Sequence, residues 1–164
     1  MTRLPSPTGA DLARALIGAW RLVSWRIEYP ATRRVTEPFG PAPEGLILYT
    51  ADGCMSAAMQ RPARPRLARE NLALVSEADK SAAFTSYLQY SGRWHVDGGD
   101  VHHVIELAMN PNLLGTRQVR SALLHGDELE LGATEQLEGS GDVRRHRILW
   151  RRARPHATGA DSPA

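Results

Sequence analysis

Apolar side chains along most of this chain alternate with polar ones in short runs, which is the period of β-strands with one buried face. The pattern predicts seven to eight strands, at 19–27, 45–50, 54–60, 90–96, 101–109, 118–124, 128–131 and 143–152. Gly, Pro, Asn and Asp residues separate these runs, and the segments 51–53 and 125–127 are typical of tight hairpin turns.

Two segments have a helical period instead. Leu12, Ala15 and Leu16 share one face of a short helix that ends near Gly18, and Ser76 is a typical N-cap for a longer helix over 76–88. Short antiparallel strands with one leading and one inserted helix indicate an all-β, up-and-down barrel of about eight strands, which has no free sheet edges. Such a barrel is either filled by side chains or holds one small ligand.

Composition agrees with a single globular domain. The length of 164 residues fits one core, predicted over 9–154, and the polar, proline-containing ends 1–8 and 155–164 are expected to be flexible. The single cysteine, Cys54, excludes an internal disulfide framework and fits a reducing compartment. Arg14 interrupts the apolar stretch before Trp20, so no signal peptide is predicted and the chain is expected in the cytoplasm, as a monomer or homodimer.

Several chemistries lack their sequence signatures. The six histidines show no metal-ligand spacing, and no phosphate-binding glycine loop or nucleophile elbow is present, so neither a metal nor a cofactor is expected. No apolar run approaches the ~20 residues of a spanning helix, so a membrane partner is not expected. The arginines of 144–154 alternate with apolar residues, which favours a solvent-facing strand over a nucleic-acid site.

Strand alternation also sorts side chains by the face they occupy. If Trp20 points inward, then Leu22 and Ser24 do so as well, while Val23 and Trp25 pack outside or under the helices. Gly92 then leaves space in the interior, although a plain packed core is an equal alternative. The predicted ligand-binding wall consists of Trp20, Ser24, Tyr49, Met55, Met59, Trp94, Gln118 and Trp150.

The adjacent residues His102 and His103 face opposite ways in a regular strand. His102 shares its face with Glu106, which predicts an acid/base pair on the inner wall. The face of His103, Ile105 and Leu107 is more apolar and is the alternative inner face.

Arg120 lies on the same face of its strand as Gln118. Inside the barrel it would polarise a carbonyl or bind a carboxylate, and its alternative role is to stack on Trp20 at the barrel end. Tyr90 is a second hydrogen-bond donor. The predicted catalytic set is therefore His102, Tyr90, Arg120 and Glu106.

Several motifs resemble those of known barrels. Gly18-Ala19-Trp20 resembles the Gly-x-Trp opening of lipocalins. Similarity to the bacterial and fungal lipocalin-like domain family is more specific, extends over 12–153, and includes the segments 48–56, 90–92, 101–104, 110–112 and 115–120. The resemblance implies a small calycin-type barrel whose cavity can bind an apolar molecule, and some biosynthetic clusters carry such barrels as cofactor-free cyclases.

The function expected from this reasoning is binding of a small apolar or aromatic metabolite, polyketide- or terpenoid-like, in the barrel interior. Cofactor-free cyclisation or isomerisation by proton transfer in secondary metabolism would follow from the catalytic set. The alternative is a non-catalytic intracellular carrier that uses the same polar groups only to orient its ligand.

Overall fold

The chain forms a closed antiparallel barrel in a computed structural model that describes residues 9–137 and 139–154. The predicted flexible ends lie outside the described residues. The helices are α1 (Gly9–Leu16) and α2 (Glu77–Thr85). The strands are β1 (Gly18–Tyr29), β2 (Arg34–Thr36), β3 (Glu44–Tyr49), β4 (Cys54–Gln60), β5 (Tyr87–Asp97), β6 (Asp100–Ala108), β7 (Arg117–His125), β8 (Glu128–Gln136) and β9 (Val143–Arg152).

Eight of these strands close the barrel. Pairing runs from β1 to β3 and then in sequence order to β9, which pairs back with β1. The ninth, β2, pairs only with β1 and was not predicted. The predicted all-β barrel with two helices is thus confirmed, although α2 ends at Thr85 and leaves Tyr87 and Leu88 to β5.

One face of each barrel strand is buried, as in β4, where Met55, Ala57 and Met59 alternate with more accessible residues. Apart from tyrosines, His103 is the only polar side chain among the described residues that is fully buried. The interior core consists of Trp20, Leu22, Ile47, Tyr49, Met55, Ala57, Met59, Tyr90, Trp94, Val101, Ile105, Ala122, Leu124, Leu129, Leu131, Ile148 and Trp150.

Helix α1 closes one end of the barrel. Its residues Leu12 and Leu16 are buried, and the indole N–H of Trp20 donates to the Leu16 carbonyl at 2.9 Å. The guanidinium of Arg152 stacks on the Trp20 ring and donates to the carbonyls of Ala15 and Ile17, at the end of α1. The carboxyl end of β1 and α2 lie at the opposite end, which we call the mouth. No helix among the described residues is long and apolar enough to span a membrane.

Candidate functional site

Three hydrogen-bonded side chains form a polar chain inside the otherwise apolar barrel. The hydroxyl of Tyr49, on β3, lies 2.8 Å from Nε2 of His103, on β6. The hydroxyl of Tyr90, on β5, lies 3.1 Å from Nδ1 of the same ring. We call these three residues the Tyr-His-Tyr cluster. The curvature of the sheet from β3 to β6 brings them together, although Tyr49 and His103 are 54 positions apart in the chain.

Burial determines how the cluster ionises. Desolvation, assisted by the positive charge of Arg120, lowers the pKa of His103 from 6.5 to about 3. Burial also raises the pKa of Tyr49 well above its ordinary value and raises that of Tyr90, although Arg120 opposes both shifts. All three side chains are therefore neutral near pH 7.

In the neutral cluster, one tyrosine O–H group has no hydrogen-bond acceptor within the cluster. Neutral imidazole has one N–H and one acceptor nitrogen, so one tyrosine donates to His103 and the other accepts from it. The accepting tyrosine retains its own O–H proton, for which no acceptor is found in the described part of the chain. This holds for either tautomer of His103. The cluster therefore contains one buried O–H donor that is not used within the described part of the barrel.

An apolar chamber lies at the mouth, and none of the three residues of the Tyr-His-Tyr cluster lines it. Its volume is about 330 Å³, at the lower end of the range for small-ligand pockets. Leu88, in its wall, precedes Tyr90 by two positions on β5. Its apolar lining residues include Trp25, Phe39, Phe84, Leu88, Met109 and Leu113. We call this space the mouth chamber.

A polar group that we call the rim cluster, Trp25, Glu135, Arg144 and His146, lies beside the mouth chamber. The Trp25 indole N–H donates to Nδ1 of His146 at 3.2 Å, and Nε of Arg144 donates to Glu135 at 2.8 Å. Burial lowers the pKa of His146, although Glu135 opposes this shift. Burial raises the pKa of Glu135, but the Arg144 hydrogen bond and nearby positive charges bring it below its ordinary value. Glu135 is therefore ionised and paired.

Comparison with known proteins agrees with this geometry. A family model described as a lipocalin-like domain matches residues 17–153. The chain belongs to the lipocalin-like domain family. The 4'-hydroxy-3'-methoxypropiophenone carrier protein of Aspergillus oryzae (strain ATCC 42149 / RIB 40) is 32% identical over 106 residues, which are 60% of this chain and 96% of that protein. No solved structure matches the chain.

The lipocalin-like barrel uses His103, not His102, on its inner wall. His102 lies on the outer face, where its ring stacks on His95 with centroids 4.8 Å apart. Glu106 is also on the outside and binds Arg93 at 3.1 Å. The prediction that His102 and Glu106 form an inward acid/base pair is therefore wrong. The apolar alternation of Val101, His103 and Ile105 was the signal for the correct face.

In β1, too, the side chains that point inward differ from the predicted ones. The register between β1 and β9 shifts between Leu22 and Ser24, so Val23 is an extra residue. As a result Trp25 pairs with the buried Ile148 and faces the mouth chamber, while Ser24 pairs with Leu149 on the outer face. The prediction that Ser24 faces inward is wrong for this reason, whereas Trp25 lies beside Phe84 and Thr85 of α2, in agreement with the alternative that it packs under a helix.

The other predicted site residues face the barrel interior, but in different surroundings. Trp20, Met55, Trp94 and Trp150 are buried in its core, and Met59 is buried towards the mouth. Gln118 and Arg120 are half-buried on the inner face of β7, opposite His103 and Val101. Tyr49 and Tyr90 belong to the Tyr-His-Tyr cluster. The alternative role of Arg120, stacking on Trp20, is taken by Arg152.

Gly92 does not open space for a ligand. A Cβ atom at this position would lie 2.0 Å from the Val104 carbonyl oxygen and 2.9 Å from the Glu106 nitrogen. The register between β5 and β6 shifts here, which makes Glu106 an extra residue in β6. The glycine therefore accommodates the close approach of a bulged strand, and the prediction that it leaves interior space is wrong.

A larger cleft of about 720 Å³ lies between the segment 61–68 and α2, outside the barrel. Arg64, in its wall, already donates to Ser86, Gln60 and the Ala83 carbonyl, and it stacks on Tyr87. This arginine thus joins the segment to α2. The spare donor of the Tyr-His-Tyr cluster makes the barrel interior the better candidate site.

Proposed function

We propose that this protein binds a small aromatic metabolite with a polar oxygen, and that it acts as a carrier. The apolar end of the ligand would occupy the mouth chamber, and its oxygen would point down towards the Tyr-His-Tyr cluster. The carrier protein of Aspergillus oryzae supports this class of ligand, because the compound in its name is a phenolic aryl ketone. A cytoplasmic location stays a prediction, in keeping with the free cysteine Cys54.

The spare hydroxyl proton is the observation that carries this proposal. A buried donor without an acceptor costs about 1–3 kcal/mol, and a ligand carbonyl or phenol oxygen would remove that cost. Aromatic rings in the wall, such as Trp25 and Phe39, which meet edge to face, would contact a planar ligand. In this proposal the chamber holds the apolar part of the ligand and the cluster holds its polar oxygen.

The ionisation of the cluster favours binding over catalysis. A general base works best when its pKa is close to the working pH. The pKa of His103 is about 3, and both tyrosine pKa values are raised, so proton transfer by these groups near pH 7 is weak. Cofactor-free cyclisation or isomerisation is the second candidate, supported by the convergence of Tyr90, His103 and Arg120 on one part of the interior.

Titration with 4'-hydroxy-3'-methoxypropiophenone tests the proposal. We expect saturable quenching of tryptophan fluorescence, one ligand per chain by native mass spectrometry, and a free energy of unfolding that rises by about 2.7 kcal/mol at 100 times the Kd. Recovery of the unchanged ligand after long incubation distinguishes a carrier from an enzyme, for which a converted product would be found.

Two variants locate the binding site. Leu88→Trp fills the mouth chamber and should weaken binding at least about tenfold, which is about 1.4 kcal/mol. Leu123→Trp is the matched control, because Leu123 is an exposed residue of β7. Absence of binding to the unaltered protein, or equal binding by both variants, would reject the proposed site.

A further inference from the structure

Arg120 lies in the part of the barrel wall where β7 and β8 are not paired with each other. Backbone pairing between β7 and β8 ends at Ser121 and Gly132. Beyond that pair, 117–120 and 133–136 continue without pairing to each other, and a cleft of about 420 Å³ lies against this gap. Arg120 lies on the inner face of β7 within this unpaired stretch, and its neighbours Val119 and Ser121 line the cleft from the outer face.

The guanidinium of Arg120 has only neutral partners among the described residues. It donates to Gln118 Oε1 at 3.2 Å and to the Val119 carbonyl at 3.1 Å. No carboxylate of residues 9–137 or 139–154 lies within 4.0 Å of it. Glu135, the acidic residue of the rim cluster, forms an ion pair with Arg144, whose guanidinium nitrogen lies 2.6 Å from the carboxylate oxygen. A half-buried positive charge thus has no carboxylate within 4.0 Å in the described part of the chain, and the more distant Glu135, on which its charge acts, is paired with Arg144.

The groups around Arg120 do not supply the missing negative charge. The Tyr-His-Tyr cluster is neutral, and in the rim cluster Arg144 balances Glu135. The charge of Arg120 acts on every ionisable group that faces it from the other strands. These groups are Tyr49 on β3, Tyr90 on β5, His103 on β6, Glu135 on β8, and His146 on β9, beside Arg144.

We propose that the ligand is a weak acid, with a phenol or enol oxygen, that binds as its anion with Arg120 as the counter-charge. This inference rests on the proposed function and narrows its ligand class. An anionic oxygen would accept a charge-assisted hydrogen bond from Arg120, and the spare hydroxyl of the Tyr-His-Tyr cluster would donate to it as well. Neutral ethers of the same shape would lose the charge interaction.

The absorbance of the bound ligand measures its ionisation directly. The probes are 4'-hydroxy-3'-methoxypropiophenone, whose phenolate absorbs at longer wavelength than its phenol, and its 4'-O-methyl ether, which cannot ionise. We expect the pKa of the bound phenol to lie at least about one unit below that of the free phenol, because an adjacent positive charge favours the anion. The phenol should therefore bind increasingly better than the ether as pH rises through the bound pKa.

Variants of two arginines on β7 isolate the role of Arg120. Arg120→Gln should abolish the lowering of the phenol pKa and, at a pH above the free phenol pKa, weaken phenol binding by about tenfold, the equivalent of one pKa unit. It should change ether binding less than twofold, and Arg120→Lys should restore part of the lost affinity. Arg117→Gln, which removes an exposed charge from the same strand, is the matched control and should change neither.

The outcomes separate this inference from the proposed function. If both probes bind equally and the bound phenol keeps its free pKa, the carrier proposal stands and the anion proposal is wrong. Equal weakening of both probes by Arg120→Gln, with an unchanged urea midpoint, would assign Arg120 to general packing and reject the anion proposal. If neither probe binds to the unaltered protein, both proposals fail.

Discussion

His103 is neutral because the barrel surrounds it with two phenols and apolar side chains. A charged imidazole in this position would lose its hydration, and the nearby positive charge of Arg120 adds repulsion. The unfolded chain carries no such constraint, so its His103 binds a proton at ordinary pH values. The difference between the two states links the stability of the protein to pH.

We predict that the free energy of unfolding falls as pH decreases from about 6.5 towards 3. In this range the unfolded state binds a proton at His103 and the folded state does not, because the folded pKa is about 3. The expected slope from this residue is about 1.4 kcal/mol per pH unit. His146, whose pKa is also lowered, adds to the slope in the same direction. Urea unfolding followed by tryptophan fluorescence between pH 4 and 8 measures it.

Two histidine variants test the assignment to His103. His103→Gln retains an amide that can donate and accept, and it should lose the His103 share of the slope. His102→Gln, on the outer face beside His95, should retain it. Equal slopes in the unaltered protein and His103→Gln would show that His103 does not cause the pH dependence.

Two β-bulges decide which side chains line the site. In β1 the inward residues are Trp20 and Leu22 and then Trp25 and Ile27, a spacing of three where regular alternation gives two. This change of spacing is visible in the sequence and would have predicted Trp25 correctly. In β6 the corresponding change of spacing follows Ile105. The sequence does not reveal it, because Leu107 continues the apolar alternation although Glu106 and Leu107 are both exposed.

Gly92→Ala tests whether the bulge in β6 depends on a missing side chain. We expect a loss of about 1–3 kcal/mol in the free energy of unfolding, as for overpacked interiors, because the new Cβ would meet backbone atoms of β6. Urea unfolding midpoints measure the loss.

Gly99→Ala is the matched control for this prediction. A Cβ at Gly99, in the turn between β5 and β6, would have no atom within 4 Å, so we expect a change within about 0.5 kcal/mol. If Gly92→Ala were as stable as Gly99→Ala, the close approach of β6 would not be what requires the glycine.

At the scale of the whole molecule, paired charges account for much of the arginine content of β9. Arg144, Arg147 and Arg151 each lie within 3 Å of a glutamate on β8. Arg152 donates a hydrogen bond to the Ala15 carbonyl of α1 and stacks on the Trp20 ring. The sequence pI of about 9.0 therefore does not describe a free basic surface along this strand.

We predict that the protein does not bind a labelled single-stranded oligonucleotide at physiological salt, as measured by fluorescence anisotropy. Neutralised arginines release few counterions from a phosphate backbone, so the driving force for such binding is small. Glu130→Gln frees Arg147 from its bidentate partner and should increase any residual binding. Tight binding by the unaltered protein, with a Kd that increases steeply with salt, would contradict this prediction.

The alternation of apolar residues determined the eight barrel strands, because burial of one face per strand is a local property of the sequence, and the short turns between them indicated an up-and-down barrel. The spacing of apolar residues around Trp25 and His103 also indicated that both side chains point inward. The tertiary structure alone decided that Tyr49, Tyr90 and His103 meet, because the curvature of the sheet from β3 to β6 and the bulge in β6 bring their side chains together. It also decided that no carboxylate lies within 4.0 Å of Arg120 in the described part of the chain. Glu135 is paired instead with Arg144, which lies opposite it on β9.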